Sequence, residues 1–296
     1  MKSLKESILS STKTGKASFL IPKTTRELIG MIKEEIKEKG WNCDLNHIKT
    51  NKIIDMSYLF APETGLTKFN GDISKWDVSN VISMEGMFAS SSFNGNISNW
   101  NVSKVKNMSG MFSYNKAFNQ TINDWDVSEV EYMEVMFNHS VFNQPLDKWN
   151  VSKVIDMSRM FAGSKFNQPI NKWNVSNVTD MSEMFCENKS FNQPLNKWNV
   201  SKVTDMSDMF ARSIFNQPIN DWNVSRVENM WQMFCGTGFN QPLNKWNVSN
   251  VTNMAWMFSS STFNQNISGW EINPDCNTYG MFYECKIKEE YKLFKI

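Results

Sequence analysis

The residues of this chain with the most chemistry to offer are its methionines, cysteines, histidines and tryptophans. Seventeen of the twenty methionines belong to one regular ladder, sixteen of them in pairs three residues apart, such as Met157 with Met160 and Met181 with Met184. Columns of thioethers suit a metal or a pliant sulfur-rich surface, but the same spacing on the inner side of a closed coil suits an ordinary core. Five cysteines, at 43, 186, 235, 276 and 285, form no CxxC pair, and their odd number argues against a disulfide framework. His47 and His139 stand far apart and leave little for a metal site. The stretch STKTGKAS resembles a phosphate loop, yet it lacks the first glycine and has Ala17 where a hydroxyl residue should follow Lys16. The tripeptide NVS at Asn150, Asn174, Asn199 and Asn223 matches a glycosylation acceptor, but the repeat itself supplies it. No column mixes Ser, His and an acid, and no pair of carboxylates recurs in an apolar pocket. The sequence therefore predicts no catalytic residue, no cofactor and no metal, and a protein that is not an enzyme.

What positions these residues is a repeat. Phenylalanines at 69, 93, 118, 142, 166, 191, 215, 239 and 263 each open a unit of 24 or 25 residues, with no linker between units. A period of this length marks a stack of coils, none of which can bury its apolar face alone. With that Phe as position 1, the apolar positions are 1, 5, 8, 10, 13, 16, 19 and 20. Positions 8 and 10 alternate with polar neighbours, which predicts a short strand with one face buried. Positions 13, 16, 19 and 20 predict one face of a two-turn helix. The Leu, Trp and Val of LNKWNVSNV also follow the LxxLxL spacing of leucine-rich repeats. The expected fold is thus an α/β repeat solenoid, leucine-rich-repeat-like and right-handed, with parallel strands on one wall and short helices on the other. About nine rungs of parallel sheet spaced roughly 4.8 Å would give a wall on the order of 40 Å long, enough for a protein partner.

The tryptophans at position 8, from Trp76 to Trp270, would form a sugar-stacking stripe if exposed. As the second apolar residue of the LxxLxL spacing they are expected inside, each indole N–H with a backbone partner. Position 21 is mostly small and includes Cys186 and Cys235. Two coils would hold these two thiols roughly 9 to 10 Å apart, beyond disulfide reach, so they read as core filler. Position 7 carries Lys148, Lys172 and Lys197 in succession, interrupted elsewhere by Asp124 and Asp221. That wall is a candidate glycan-binding surface, with a solvated polar wall as the plain alternative, and its mixed charge does not suit nucleic acid. Departures from the repeat on its outer side are Tyr58, Tyr132, Val135, Trp231 and Trp256. Trp231 and Trp256 fall in adjacent coils and either form an aromatic patch that anchors a partner or are covered by the C-terminal tail.

The sequence divides into a leader (1–23), a helical N-terminal cap with half a repeat (24–68), the tandem array (69–270) and a C-terminal cap and tail (271–296). Thr24 with Glu27 forms a capping box, Leu28, Ile29, Ile32 and Ile36 line one side of the predicted helix, and Gly40 stops it. In the leader, Leu4, Ile8 and Leu9 stand at helical spacing and make either a free tail or a peptide that orders when it docks on another protein. A formal charge of +1, from 31 basic and 30 acidic residues, supplies no global field for nucleic acid or an acidic membrane. No apolar run is long enough to predict a secretory signal or a membrane span.

The back-to-back copies FNQPINKWNVSNVTDMSEMF and FNQPLNKWNVSKVTDMSDMF resemble the repeat of the BspA-like leucine-rich-repeat surface proteins, a unit also found in mycoplasma lipoproteins and in gut-bacterial and phage-encoded chains. The segment ELIGMIKEEIKEKGWNCDLNHIKTNKIIDMSYLF is similar to their entry module, so the resemblance spans about residues 25 to 283. It implies a surface-exposed binding protein engaged in adhesion or host contact, with no catalytic residues. The absence of a secretory signal and of a lipobox cysteine places the expected location in the cytoplasm or in a virion. The expected work is that of a protein-recognition or assembly scaffold. An adhesin or glycan-binding protein and a phage-particle component tethered by its leader are the alternatives.

Overall fold

A computed structural model describes residues 21–293. The predicted docking residues Leu4, Ile8 and Leu9 lie outside them. Helix α1 (Thr25–Lys39) begins as the sequence predicts: the Thr24 hydroxyl accepts the Glu27 N–H, while the Glu27 carboxylate takes the Lys23 N–H. Leu28, Ile32 and Ile36 are buried, and Gly40, at φ 84°, ends the helix by donating its N–H to the Ile36 carbonyl. The Thr25 hydroxyl donates to the Asp55 carbonyl and so ties the helix to the array.

The rest is a repeat fold, one coil per repeat, but its coils are built differently from the expected strand and helix. Among the described residues α1 is the only α-helix, and two single 3-10 turns occur at Pro62–Thr64 and Glu289–Tyr291. Positions 13 to 20 do not wind into a helix because positions 18 and 22 take left-handed backbone. Arg159, Glu183 and Asp208 stand at φ 56°, 54° and 52°, and Glu187 and Arg212 at 56° and 54°. Each such residue closes a tight turn, as when Met160 donates to the Met157 carbonyl (3.2 Å) and Ala162 to Arg159 (3.1 Å). The intervening N–H groups then point along the stack. Those of Met157, Arg159, Phe161 and Gly163 donate to Asp180, Ser182, Met184 and Cys186 of the next coil at 3.1, 2.8, 3.0 and 2.8 Å. A helix would have consumed these donors internally. The i, i+3, i+6, i+7 pattern of apolar residues is thus a train of turns whose alternate side chains face inward.

Nor do positions 8 and 10 form the strand. The parallel bridges run instead through position 15, from Ser83 and Asn107 through Asp156 and Asp180 to Asn253 and Asn277. Around the predicted strand the chain turns twice: Trp149 donates to the Leu146 carbonyl (3.2 Å) and Val154 to Val151 (3.0 Å). The Trp, Val and Met columns nevertheless face inward as expected. Every position-16 and position-19 methionine from Met84 to Met281 is buried, which settles them as core. Trp173 donates its Nε1–H to the Leu146 carbonyl of the preceding coil at 2.9 Å, and every other position-8 tryptophan does the same. Phe161 stacks on Phe166 at 4.0 Å and on Phe185 of the next coil at 5.8 Å, continuing an aromatic column through the array.

Polar columns reinforce the register. The side-chain carbonyl of each position-2 asparagine accepts the N–H of the next, as in Asn143 to Asn119 (2.8 Å) and Asn167 to Asn143 (2.9 Å). Position 9 accepts the N–H two residues on, as Asn174 does from Ser176 (3.2 Å), so the NVS tripeptide makes a local turn. Stacking also starts one coil earlier than the half-repeat reading implied. Trp76 donates to Leu45 (3.0 Å), and Thr50 replaces the position-10 valine, fully buried with its hydroxyl on the Asp77 carbonyl (2.8 Å).

The units of 25 residues begin at Phe93 and Phe166, and each carries a fully buried asparagine, Asn115 or Asn188, where the neighbouring units have Ser or Thr. The Asn188 amide donates to Phe161 and Ser164 of the preceding coil and to Phe166 at the start of its own, and accepts the N–H groups of Ser190 and Phe191. It fills the bulge made by the extra residue. Asn188→Ala is expected to lower unfolding stability by about 3 kcal/mol, because several buried backbone groups lose their partner together. Asn188→Ser combined with deletion of Ser190 restores the shorter unit and should recover most of that loss in a denaturant melt. An Asn188→Ala protein as stable as the parent would refute this role.

Candidate functional site

The array's surface depressions sort by repeat position. One group uses positions 3 to 7 (Pro242, Asn244, Gln265, Asn266, Ser268), a second uses positions 12 to 14 (Thr204, Arg226, Glu228, Asn250, Thr252), and a third uses positions 17 to 22. The third is the most chemically varied. Its floor is column 21, where Ala162, Cys186 and Ala211 pack together with Cys235 beside them. Its sides are the left-handed positions 18 and 22, with Glu183, Asp208 and Gln232 on one and His139, Glu187 and Arg212 on the other, and with Trp231 at position 17. The groove encloses about 410 Å3.

The backbone explains why these side chains stand out. A left-handed residue is neither strand nor helix, and its side chain projects from the wall next to the same position of the coils above and below. Coils so closely spaced leave room for one ordinary side chain per level. After three of the rings the next coil has glycine, because a side chain at Gly86, Gly163 or Gly280 would run into Tyr58, His139 and Trp256 respectively, whereas Tyr114 is followed by His139 and the two rings stack at 4.8 Å. Gly236 leaves a gap in column 22 beside Arg212, whereas the space at Gly163 is taken by the His139 ring.

The groove's charges are incompletely matched. Arg159 donates to Glu183, and Arg212 lies 3.8 Å from Glu187. Asp208 is only 6% exposed, yet no donor among the described residues makes a hydrogen bond to its carboxylate. Burial, with Glu183 beside it, pushes this carboxyl up to about 6, against the pull of Arg212 and Arg159. Burial likewise pushes the Cys186 thiol up to about 12 and raises Cys235, so neither is a ready nucleophile. No group of three or more His, Cys, Asp or Glu among the described residues is placed to hold a metal ion.

The residues singled out from sequence are distributed over different surfaces. Trp231, 39% exposed, lines the groove. Trp256 makes its ring contacts edge-on with Tyr279 and Tyr283 of the next coil, at 5.2 and 5.6 Å. The described residues contain no Trp231–Trp256 ring pair, and no tail folded over both: Trp256 packs against the next coil while Trp231 stays exposed. Val135 is half-buried at φ 52° and rests near Gly110, four coils from Trp231. Tyr132 is exposed and occupies the bridge column between Asn107 and Asp156. Lys148, Lys172 and Lys197 stand exposed at position 7, away from the groove, and Lys148 is paired with Asp124 at 2.6 Å. Sequence reasoning missed Arg159, Glu183 and Asp208 because it placed position 18 on an ordinary helix face. The glycines interspersed in that column were the available signal of left-handed backbone.

Asp208 gives a stability test. Its carboxyl is held above the ordinary range in the folded chain, so ionisation opposes folding: the penalty is full above pH 6 and fades as pH falls toward 4. Asp208→Asn is expected to raise the thermal midpoint at pH 8 by about 2 to 4 °C, the equivalent of ~1 kcal/mol, and to leave it unchanged at pH 4. Calorimetry at both pH values checks this, and a lowered midpoint at pH 8 would contradict it.

No described helix is long and apolar enough to cross a membrane. No curated protein and no solved structure matches the chain. One family model does, in three overlapping stretches covering residues 31–141, 133–238 and 211–293, which fits a repeated unit rather than a single domain. Because those matches span most of the chain, it belongs to the family described as Mycoplasma protein of unknown function, DUF285.

Proposed function

We propose that the chain is a non-enzymatic protein-recognition or assembly scaffold that binds through the groove along positions 17 to 22. In this reading the coils form a right-handed, leucine-rich-repeat-like solenoid of the BspA-like kind. The observation that carries the reading is the contrast between columns. Positions 1, 8, 16 and 20 hold nearly the same side chain in every internal coil, whereas position 18 runs through Gly, Val, Arg, Glu, Asp, Gln and Trp. Left-handed backbone disfavours side chains other than glycine by roughly 1 to 2 kcal/mol per residue. Large and charged residues there carry a cost with no return in the core, as expected of a surface whose side chains are used.

A glycan-binding or adhesive role through the polar wall is the second reading. It is favoured by the run of Lys148, Lys172 and Lys197 beside a surface of Asn, Gln and Ser such as that at Asn244, Gln265 and Asn266. The pairing of Lys148 with Asp124 and of Lys245 with Asp221 lowers the charge that wall can offer. A photo-reactive benzoylphenylalanine placed at Trp231 in one version of the full chain and at Lys172 in another separates the readings. After irradiation in an extract of the cells that make the chain, a defined protein adduct is expected from position 231 and not from position 172. An adduct or captured glycan at 172 alone would transfer the function to the polar wall. Failure of both positions to couple would leave a structural role in a particle.

A further inference from the structure

Three carboxylates and two guanidinium groups meet in the groove. Arg159 is taken by Glu183 and Arg212 sits by Glu187, which leaves Asp208, 6% exposed, with no hydrogen bond to its carboxylate among the described residues and with its oxygens still reaching solvent. A largely buried carboxylate whose guanidinium neighbours are each engaged elsewhere has room for one further cation. Trp231 follows in the next coil, where its carbonyl accepts the Asp208 N–H at 2.8 Å and its ring lines the same groove. A carboxylate beside an indole face is the chemistry that receives an organic cation.

We propose that the groove receives the basic side chain of an extended protein segment, with the lysine or arginine cation against Asp208 and its aliphatic stem along Trp231. This rests on the reading of the groove as a recognition surface. A hard metal ion is a poorer match, because such ions want six or more oxygen ligands and only one carboxylate here is unengaged. A free small amine would leave most of the site empty. The groove runs from His139 to Gln232, roughly 20 Å at the spacing of parallel rungs, the length of a short extended peptide. Its floor of Ala162, Cys186 and Ala211 lets a backbone approach closely, and the gap at Gly236 opens its side.

The site should respond to pH. Glu183 and Asp205 raise the Asp208 carboxyl, Arg212 and Arg159 lower it, and burial outweighs them, so the carboxylate is present at pH 7.5 and largely protonated at pH 5. A cation bound there loses its counter-charge as the pH falls.

The probe is a nine-residue Gly/Ala peptide with one central lysine, compared by saturation-transfer NMR with the same peptide carrying norleucine, which keeps the stem and removes the charge. At pH 7.5 the full chain should bind the lysine peptide about tenfold more tightly than the norleucine peptide. That preference should vanish in Asp208→Asn, diminish in Trp231→Ala and shrink at pH 5. Equal binding of the two peptides, or a lysine preference untouched by both substitutions, overturns the proposal. Should Asp208→Asn misfold, the pH comparison and Trp231→Ala decide alone. A position-231 cross-link without lysine preference would sink the cation site and spare the recognition surface, whereas loss of the cross-link would sink both.

Discussion

Everything in this molecule depends on a hydrogen-bond ladder in which four donors of each coil face the same way. In each coil the N–H groups at positions 16, 18, 20 and 22 donate to the carbonyls at positions 15, 17, 19 and 21 of the coil that follows. An ordinary strand offers donors and acceptors alternately on both edges. Here the donors at positions 16, 18, 20 and 22 all face the following coil, which only the left-handed residues at 18 and 22 make possible, while the N–H at position 14 points back to the preceding coil, as Ile155 does to the Glu131 carbonyl. The same residues stop helix formation and set the outer groove's side chains apart from the core.

The inner columns follow from the ladder. Coils held at hydrogen-bonding distance must present flat or pliant side chains to one another, which phenylalanine, tryptophan and methionine are. The tryptophan is buried and at the same time gives the position-5 carbonyl of the preceding coil a second donor beside the position-8 N–H of that coil. Valine or leucine could fill part of that volume but could not donate to the carbonyl, so the position admits little else. The asparagine at position 2 has a comparable double duty, because its amide reaches the backbone of the next coil while its own N–H is met from the previous one.

Much of this was legible in the sequence. The period, the inward columns, the partner of the indole N–H and the helical cap all follow from burial patterns, which register regardless of backbone conformation. What was not legible is the backbone itself. Apolar residues three and four apart fit a helix and a train of turns equally well, and the only local distinction is glycine at Gly86, Gly110 and Gly280 in a column otherwise filled by charged and large residues. Asp208 was invisible for the same reason. On a helix it would be one more solvated acid, and only its left-handed setting, between the small floor and its neighbours in column 18, buries it. Tyr132 and Trp231 were identified correctly as outward-facing, but their isolation from Val135 and Trp256 depends on which coil and which wall each one occupies.

The bias of this ladder also makes the array an electrical object. Four peptide groups per coil point forward and fewer point back, so a net dipole remains along the stack, with the donor end positive and the acceptor end negative. At the donor end Thr278, Gly280, Phe282 and Glu284 find no backbone acceptor among the described residues. Inserting or deleting a whole coil in the middle lengthens or shortens this dipole without altering either end. The two ends of the protein are therefore different kinds of surface whatever the number of repeats between them.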